Sequence, residues 1–142
     1  MIVILINYFS FINLAYNHHH EHEISESISS NLGDNVILPC AFDFPDGVVV
    51  PYVIQWEKVG IKIPIFIWYD GYPPHTGEGY EGRVSRSGQA SLNLTKVREA
   101  DQGKYECKVF FLNRPPEPIK NGTWVHLDVH GQSDDLFNCI IV

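Results

Sequence analysis

The chain is short of positive charge. It has 10 Lys and Arg against 17 Asp and Glu in 142 residues, a formal net charge of −7 at pH 7. No basic residue precedes Lys58 or follows Lys120, and the stretch 31–130 is nearly neutral, so much of the acidic excess sits at the two ends. A nucleic-acid binder needs a basic patch to displace counterions from phosphates, and none is available. Methionine occurs once and there is no long Glu/Lys/Leu/Ala tract, which argues against a helical bundle. No apolar run beyond the first sixteen residues is long enough to span a bilayer. Catalytic signatures are also missing: there is no Gly-x-Ser-x-Gly, no glycine-rich phosphate loop before a helix and no spaced His/Glu pair suited to a metal. Glu78 and Glu81 flank Tyr80 in a glycine-rich loop and read as solvated charges rather than a carboxylate pair for glycoside chemistry. The sequence therefore predicts neither an enzyme nor a cofactor, metal or small-molecule substrate. What is present is 44% apolar and 13% aromatic residues with 19% charged, enough for one packed core and too few charges for a disordered chain.

The ends read as separate from that core. Residues 1–16 (MIVILINYFSFINLAY) are apolar and uncharged, with the length of a signal-peptide apolar region. They are expected to be a signal peptide, although no Lys or Arg precedes the run and the one small-residue cleavage candidate, near Ala15, has Asn13 two places earlier; a buried strand or a mis-called translation start is the alternative. Residues 17–30 (NHHHEHEISESISS) are expected to be a flexible His/Ser/Glu-rich spacer. Consecutive histidines on an extended chain point in alternating directions and have no spaced partner to complete a tetrahedral metal site. Residues 131–142 (GQSDDLFNCIIV) are expected to be a disordered tail or the mark of an incomplete chain. Cys139 there has no evident partner, so a free thiol and an intermolecular bond are both open.

Between residues 31 and 130 the pattern is short β-branched and aromatic runs separated by turn residues. The runs are 35–42, 52–58, 64–70, 83–87, 90–97, 103–112 and 123–129. Gly, Pro, Asn and Asp clusters fall between them, the punctuation of a β-sandwich or barrel. Several runs alternate. Tyr105, Cys107 and Val109 share one face, while Glu106, Lys108 and Phe110 share the other. A short helical turn is expected over 97–101, with Thr95 in position to cap it.

Cys40 lies in one apolar run and Cys107 on the inward face of another, with Trp56 between them. Cys107 closes the motif Asp101-x-Gly103-x-Tyr105-x-Cys107. This order marks an immunoglobulin sandwich, in which the disulfide joins two antiparallel Greek-key sheets, Trp packs on it and Tyr ties a corner to nearby backbone. Leu94 is expected beside them in the core. The alternative is a pair of free buried thiols in a cytosolic domain. Room for an extra strand pair between the Trp56 run and the 83–87 run predicts the variable (V) type, all-β. Arg83 is expected to pair with Asp101 at the corner.

The stretches 50–58, 64–86, 91–114 and 120–130 resemble the first variable-type immunoglobulin domain of the insect Turtle and Borderless family, which includes vertebrate immunoglobulin superfamily member nine. The resemblance implies a neuronal cell-surface protein with several immunoglobulin and fibronectin-type domains and one membrane span. It implies homophilic adhesion, axon guidance and dendrite patterning. A second immunoglobulin domain is expected after His130 but does not follow, so membrane anchoring is not carried over. A secreted single-domain ligand or decoy is the alternative.

The partner is expected to be a protein on another cell surface, met by the sheet that carries the Trp56 and Cys107 strands. Its outward positions are read as Gln55, Glu57, Lys108, Phe110 and Trp124, together with Phe66 and Trp68. The run 63–69 is apolar at both parities, so alternation alone leaves Ile65, Ile67 and Tyr69 as the competing outward set. Sequons at Asn93-Leu94-Thr95 and Asn121-Gly122-Thr123 mark two expected N-glycosylation positions.

Overall fold

The period-two runs do form strands. The computed structural model describes residues 26–115 and 122–131. Within them the strands are β1 (Glu26–Asn31), β2 (Val36–Leu38), β3 (Tyr52–Lys58), β4 (Phe66–Tyr69) and β5 (His75–Thr76). They continue with β6 (Val84–Ser87), β7 (Ser91–Leu94), β8 (Gly103–Phe111) and β9 (Thr123–His130). A six-stranded sheet in the order β1-β9-β8-β3-β4-β5 faces a three-stranded sheet, β2-β7-β6. This is the V-type sandwich, with β4 and β5 as the additional strand pair.

β1 corrects the expected layout in two ways. It occupies residues assigned to the spacer, and it pairs parallel with β9, while every other pairing is antiparallel. Its sequence, ESISSN, turns only Ile28 and Ser30 toward the interior. What holds it is the backbone ladder to β9, which leaves no hydrophobic signature. The chain then crosses to the other sheet through a turn fixed by Leu32 N–H to the His130 carbonyl and Gly33 N–H to the Val97 carbonyl.

β2 ends sooner than its apolar run because Pro39 has no N–H to continue the ladder with β7. The next amide, Cys40 N–H, donates instead to Ser91 Oγ at 3.0 Å. Cys40 and Cys107 are disulfide-bonded across the two sheets, their Cα atoms 6.3 Å apart. Trp56 lies opposite Cys107 on the neighbouring strand, and its indole N–H donates to the Ala90 carbonyl at 2.9 Å. Leu38, Ile54, Leu92, Leu94, Val125 and Leu127 close the core around it. Full burial of each such aliphatic side chain is worth about 1.5–3 kcal/mol.

The corner below the core is polar and fully partnered. Arg83 donates to both Asp101 carboxylate oxygens, at 2.7 and 3.0 Å, and to the Gly79 carbonyl. The Arg98 amide donates to the same carboxylate at 2.8 Å, closing the short 3-10 turn Glu99–Asp101. Thr95 does not cap that turn; its hydroxyl donates to the Arg83 carbonyl, because Thr95 is held in the extended β6–β7 pairing. The Tyr105 hydroxyl donates to the Asp101 carbonyl, and burial, followed by the Tyr80 hydroxyl beside it, pushes the phenol far above its ordinary range. Lys58 is buried against the same corner, its ammonium on the Ala100 carbonyl and over the Tyr105 ring; burial lowers its pKa.

At the other end, the loop 43–51 stands on an aromatic base. Phe42 meets Phe44, Tyr52 and Phe111 at ring-centroid distances of 5.1, 4.9 and 5.6 Å. The loop backbone returns through the Leu112 amide, which donates to the Pro51 carbonyl. Val48 and Val49 are left exposed on this anchored loop.

Candidate functional site

The outward face of the six-stranded sheet is assembled by register. Ile54 and Trp56 of β3 point into the core, so Val53, Gln55 and Glu57 point out. Cross-strand pairing then places Phe110 and Tyr69 on either side of Val53, forming one row. Lys108, Ile67 and His75 extend the Gln55 row, and Glu106 with Trp124 extends the Glu57 row. Lys104 and His126 form the last pair.

The rows differ in character. The Phe110–Val53–Tyr69 row is apolar, and Phe110 is 47% exposed. Tyr72 stacks on Tyr69 with ring centroids 5.2 Å apart and planes 13° apart, and it is itself exposed. Loop 43–51, with its exposed Val48 and Val49, lies at the same end, since Tyr52 and Phe111 are paired there.

Toward the other end the face becomes charged. Lys108 contacts Glu57 at 2.7 Å and Glu106 at 3.9 Å, and Gln55 donates to Glu57 at 2.7 Å. The Lys108 hydrogen bond holds the Glu57 carboxyl below its usual range, and the same bond raises the Lys108 ammonium. Both groups are about a third exposed, so the pair adds under about 1 kcal/mol to stability. Its larger effect is to hold charges of both signs in defined positions. The Lys104 ammonium lies 4.3 Å from the Trp124 ring centroid, and His126 sits 3.1 Å from the Asp128 carboxylate. Lys104 was not among the residues read from the sequence; its place one step before Tyr105 was the available signal.

Two of the expected face residues lie on the other side. Phe66 is 1% exposed, and Trp68 is half-buried between the sheets. The Trp68 ring lies 5.6 Å from Tyr52, and the Arg86 guanidinium of β6 sits 3.9 Å from its centroid. The cause is register: Phe66 pairs with Trp56 and Trp68 with Ile54, both inward residues. Ile67 and Tyr69 take the outward positions instead. Tyr72, in the Gly/Pro segment after β4, went unread because no periodic run contains it.

Asn93 lies on β7, with its side chain directed away from the core side occupied by Leu92 and Leu94. Asn121, Cys139 and the first 25 residues lie outside the described residues.

The chain matches the family model for the immunoglobulin V-set domain over residues 23–130. It belongs to the V-set family and is a recognition domain rather than an enzyme. Among individual proteins it is 55% identical to Protein turtle of Drosophila melanogaster over 122 residues, a match covering 77% of this chain and 8% of that protein. It is 42% identical to Protein turtle homolog B of Mus musculus (82% of this chain, 9% of that protein) and 39% identical to Protein borderless of Drosophila melanogaster (80% and 16%). The chain thus spans a small part of each of these relatives.

Among solved structures, the V domain of amphioxus IgVJ-C2 gives a TM-score of 0.57 at 27% identity, covering 72% of this chain and 98% of that one. The tandem V-type regions of VCBP3 give a TM-score of 0.61 at 24% identity, with 75% and 49% covered, a likeness of fold. These relationships support a cell-surface immunoglobulin recognition module.

Proposed function

We propose that this domain supplies the contact face of a Turtle-like neuronal adhesion protein, binding through its six-stranded sheet to a second copy on an apposed cell. Axon guidance and dendrite patterning are the processes such contact would serve. The observation that carries the reading is the outward Phe110–Val53–Tyr69 row, in which Phe110 is exposed and Val53 and Tyr69 are half-buried, with the exposed Tyr72 stacked beside it and charged residues bordering it. An aromatic centre with a polar rim is the composition of a protein–protein hot spot.

Self-recognition is favoured by the charge pattern. A two-fold contact brings the same patch to itself, so each patch must carry both signs. Glu57 and Glu106 lie beside Lys108 and Lys104 on this face.

The test uses beads coated with the domain. Wild-type beads are expected to aggregate. Phe110→Asp should abolish aggregation, because a carboxylate would have to be desolvated at the centre of the contact. Its melting temperature should stay within about 3 °C of wild type, as expected for an exposed position. Undiminished aggregation of folded Phe110→Asp beads would falsify the assigned face.

A further inference from the structure

We infer that Asn93 carries an N-linked oligosaccharide that covers the outer face of the three-stranded sheet and leaves the six-stranded sheet as the contact side. The inference rests on export of the chain, which is part of the functional reading above.

In the sequon Asn93-Leu94-Thr95, Asn93 and Leu94 close β7, the middle strand of its sheet, and Thr95 follows immediately after it. Leu94 is buried in the core, and strand alternation sends Asn93 to the opposite side. Register sets Ile37 on one flank of Asn93 and Ser85 on the other. Ser87 and Ser91 form the next outward row. This described surface is uncharged and built of small polar side chains, except for Ile37, which is 51% exposed. It has neither the aromatic centre nor the paired charges of the opposite sheet. An attached sugar would find space above short serine side chains and would shield the single large apolar group.

The side chain is compatible with the modification. The Asn93 amide Nδ2 donates to Ser85 Oγ at 3.3 Å. Attachment replaces one of its two hydrogens, so the other can keep that bond. The donor is a polyprenyl-pyrophosphate oligosaccharide. Its C1–O bond breaks, a C1–Nδ2 bond forms, the amide gives up one proton, and polyprenyl pyrophosphate leaves with the electron pair.

The test expresses the full chain in eukaryotic secretory cells and maps the tryptic peptide spanning Ser87 to Lys96, in which Asn93 is the one asparagine. The unmodified peptide should be missing or minor. Treatment with a peptide:N-glycosidase should release it with Asp at position 93. Asn93→Gln and Thr95→Ala should each remove one glycan from the intact protein, whereas Thr95→Ser, which retains both the sequon and a hydroxyl for the Arg83 carbonyl, should keep it. Recovery of mainly unmodified Asn93 from secreted, folded protein overturns the site.

The covering role is read separately on beads. Asn93→Gln and Thr95→Ala beads should aggregate as wild type does. If both lose aggregation while Thr95→Ser keeps it, the glycan belongs to the contact and the covering role is wrong. An unmodified Asn93 alongside loss of aggregation in Phe110→Asp removes the glycan but leaves the contact face standing. An occupied Asn93 with aggregation intact in Phe110→Asp does the reverse.

Discussion

Replacing Cys40 and Cys107 together by alanine is expected to lower the stability of the domain by roughly 4 kcal/mol, the chain-entropy value for a loop of this size. The two sulfurs close a sequence separation of 67 residues and join β8 of one sheet to the segment after β2 of the other. Without the bond, the unfolded chain gains the conformations that the loop denied it. The native sheets are still held by Trp56 and its aliphatic neighbours. A domain of this size has about 5–15 kcal/mol in total, so the variant is left near the threshold of folding. Urea unfolding should show the midpoint falling by roughly 3 M, with a slope equal to or steeper than that of wild type because the uncross-linked unfolded chain is more expanded. A shift corresponding to less than about 1 kcal/mol would mean that the apolar core alone keeps the sheets together, against the loop-closure account.

The second large effect is expected at the corner. Arg83→Met should destabilise the domain by about 3–5 kcal/mol, the cost of leaving a buried carboxylate without its cation. Asp101 is 2% exposed, and Arg83 supplies two of its hydrogen bonds as well as the nearby positive charge. Burial by itself pushes the Asp101 carboxyl up. The Arg83 hydrogen bonds, the Arg98 amide and the charges of Arg83 and Lys58 outweigh it, so the carboxyl lies below its usual range.

The sign of the pH dependence follows. In the wild type the folded carboxyl binds its proton less readily than the unfolded one. The stabilisation is complete above the unfolded value of about 3.9 and is lost as pH falls through the lower folded value. In Arg83→Met, burial loses its main opponent and the Asp101 pKa rises. The folded variant then takes up a proton more readily than its unfolded chain, and its deficit relative to wild type shrinks as pH falls toward 4. Adding Asp101→Asn should recover part of the loss at neutral pH, since the buried carboxylate that lost its forked cation is then replaced by a neutral amide. A deficit under about 1 kcal/mol that does not change with pH would place the pair with exposed ion pairs and overturn the prediction.

These two constellations were legible because their residue types are tied to chemistry that tolerates few substitutes. An inter-sheet disulfide needs two cysteines on facing layers, and a buried carboxylate needs a forked cation. The indole of Trp56 and the phenol of Tyr105 each need a hydrogen-bond acceptor inside the core, and they find the Ala90 and Asp101 carbonyls. Clean alternation likewise fixed which side of β8 and β9 faces inward, placing Lys108, Phe110 and Trp124 on the outer side. The variable-type architecture followed from the room for two more strands between β3 and β6.

Where the composition was uniform along a strand, or where backbone alone did the holding, residue types were silent. Both parities of the run 63–69 are apolar, so either face could have been inward. The pairing of Phe66 with Trp56 decided it, exchanging Phe66 and Trp68 for Ile67 and Tyr69 on the contact face. β1 shows the second case: a serine-rich segment became an edge strand because the amides and carbonyls of β9 lay open beside it. Side-chain patterns read from the chain thus determined the sandwich, its cross-link, its buried corner and most of its outer face. Strand phase in an all-apolar run and the recruitment of a polar segment were decided only by the folded sheet, because ladder register is a property of two strands together and backbone hydrogen bonds are the same for every residue type.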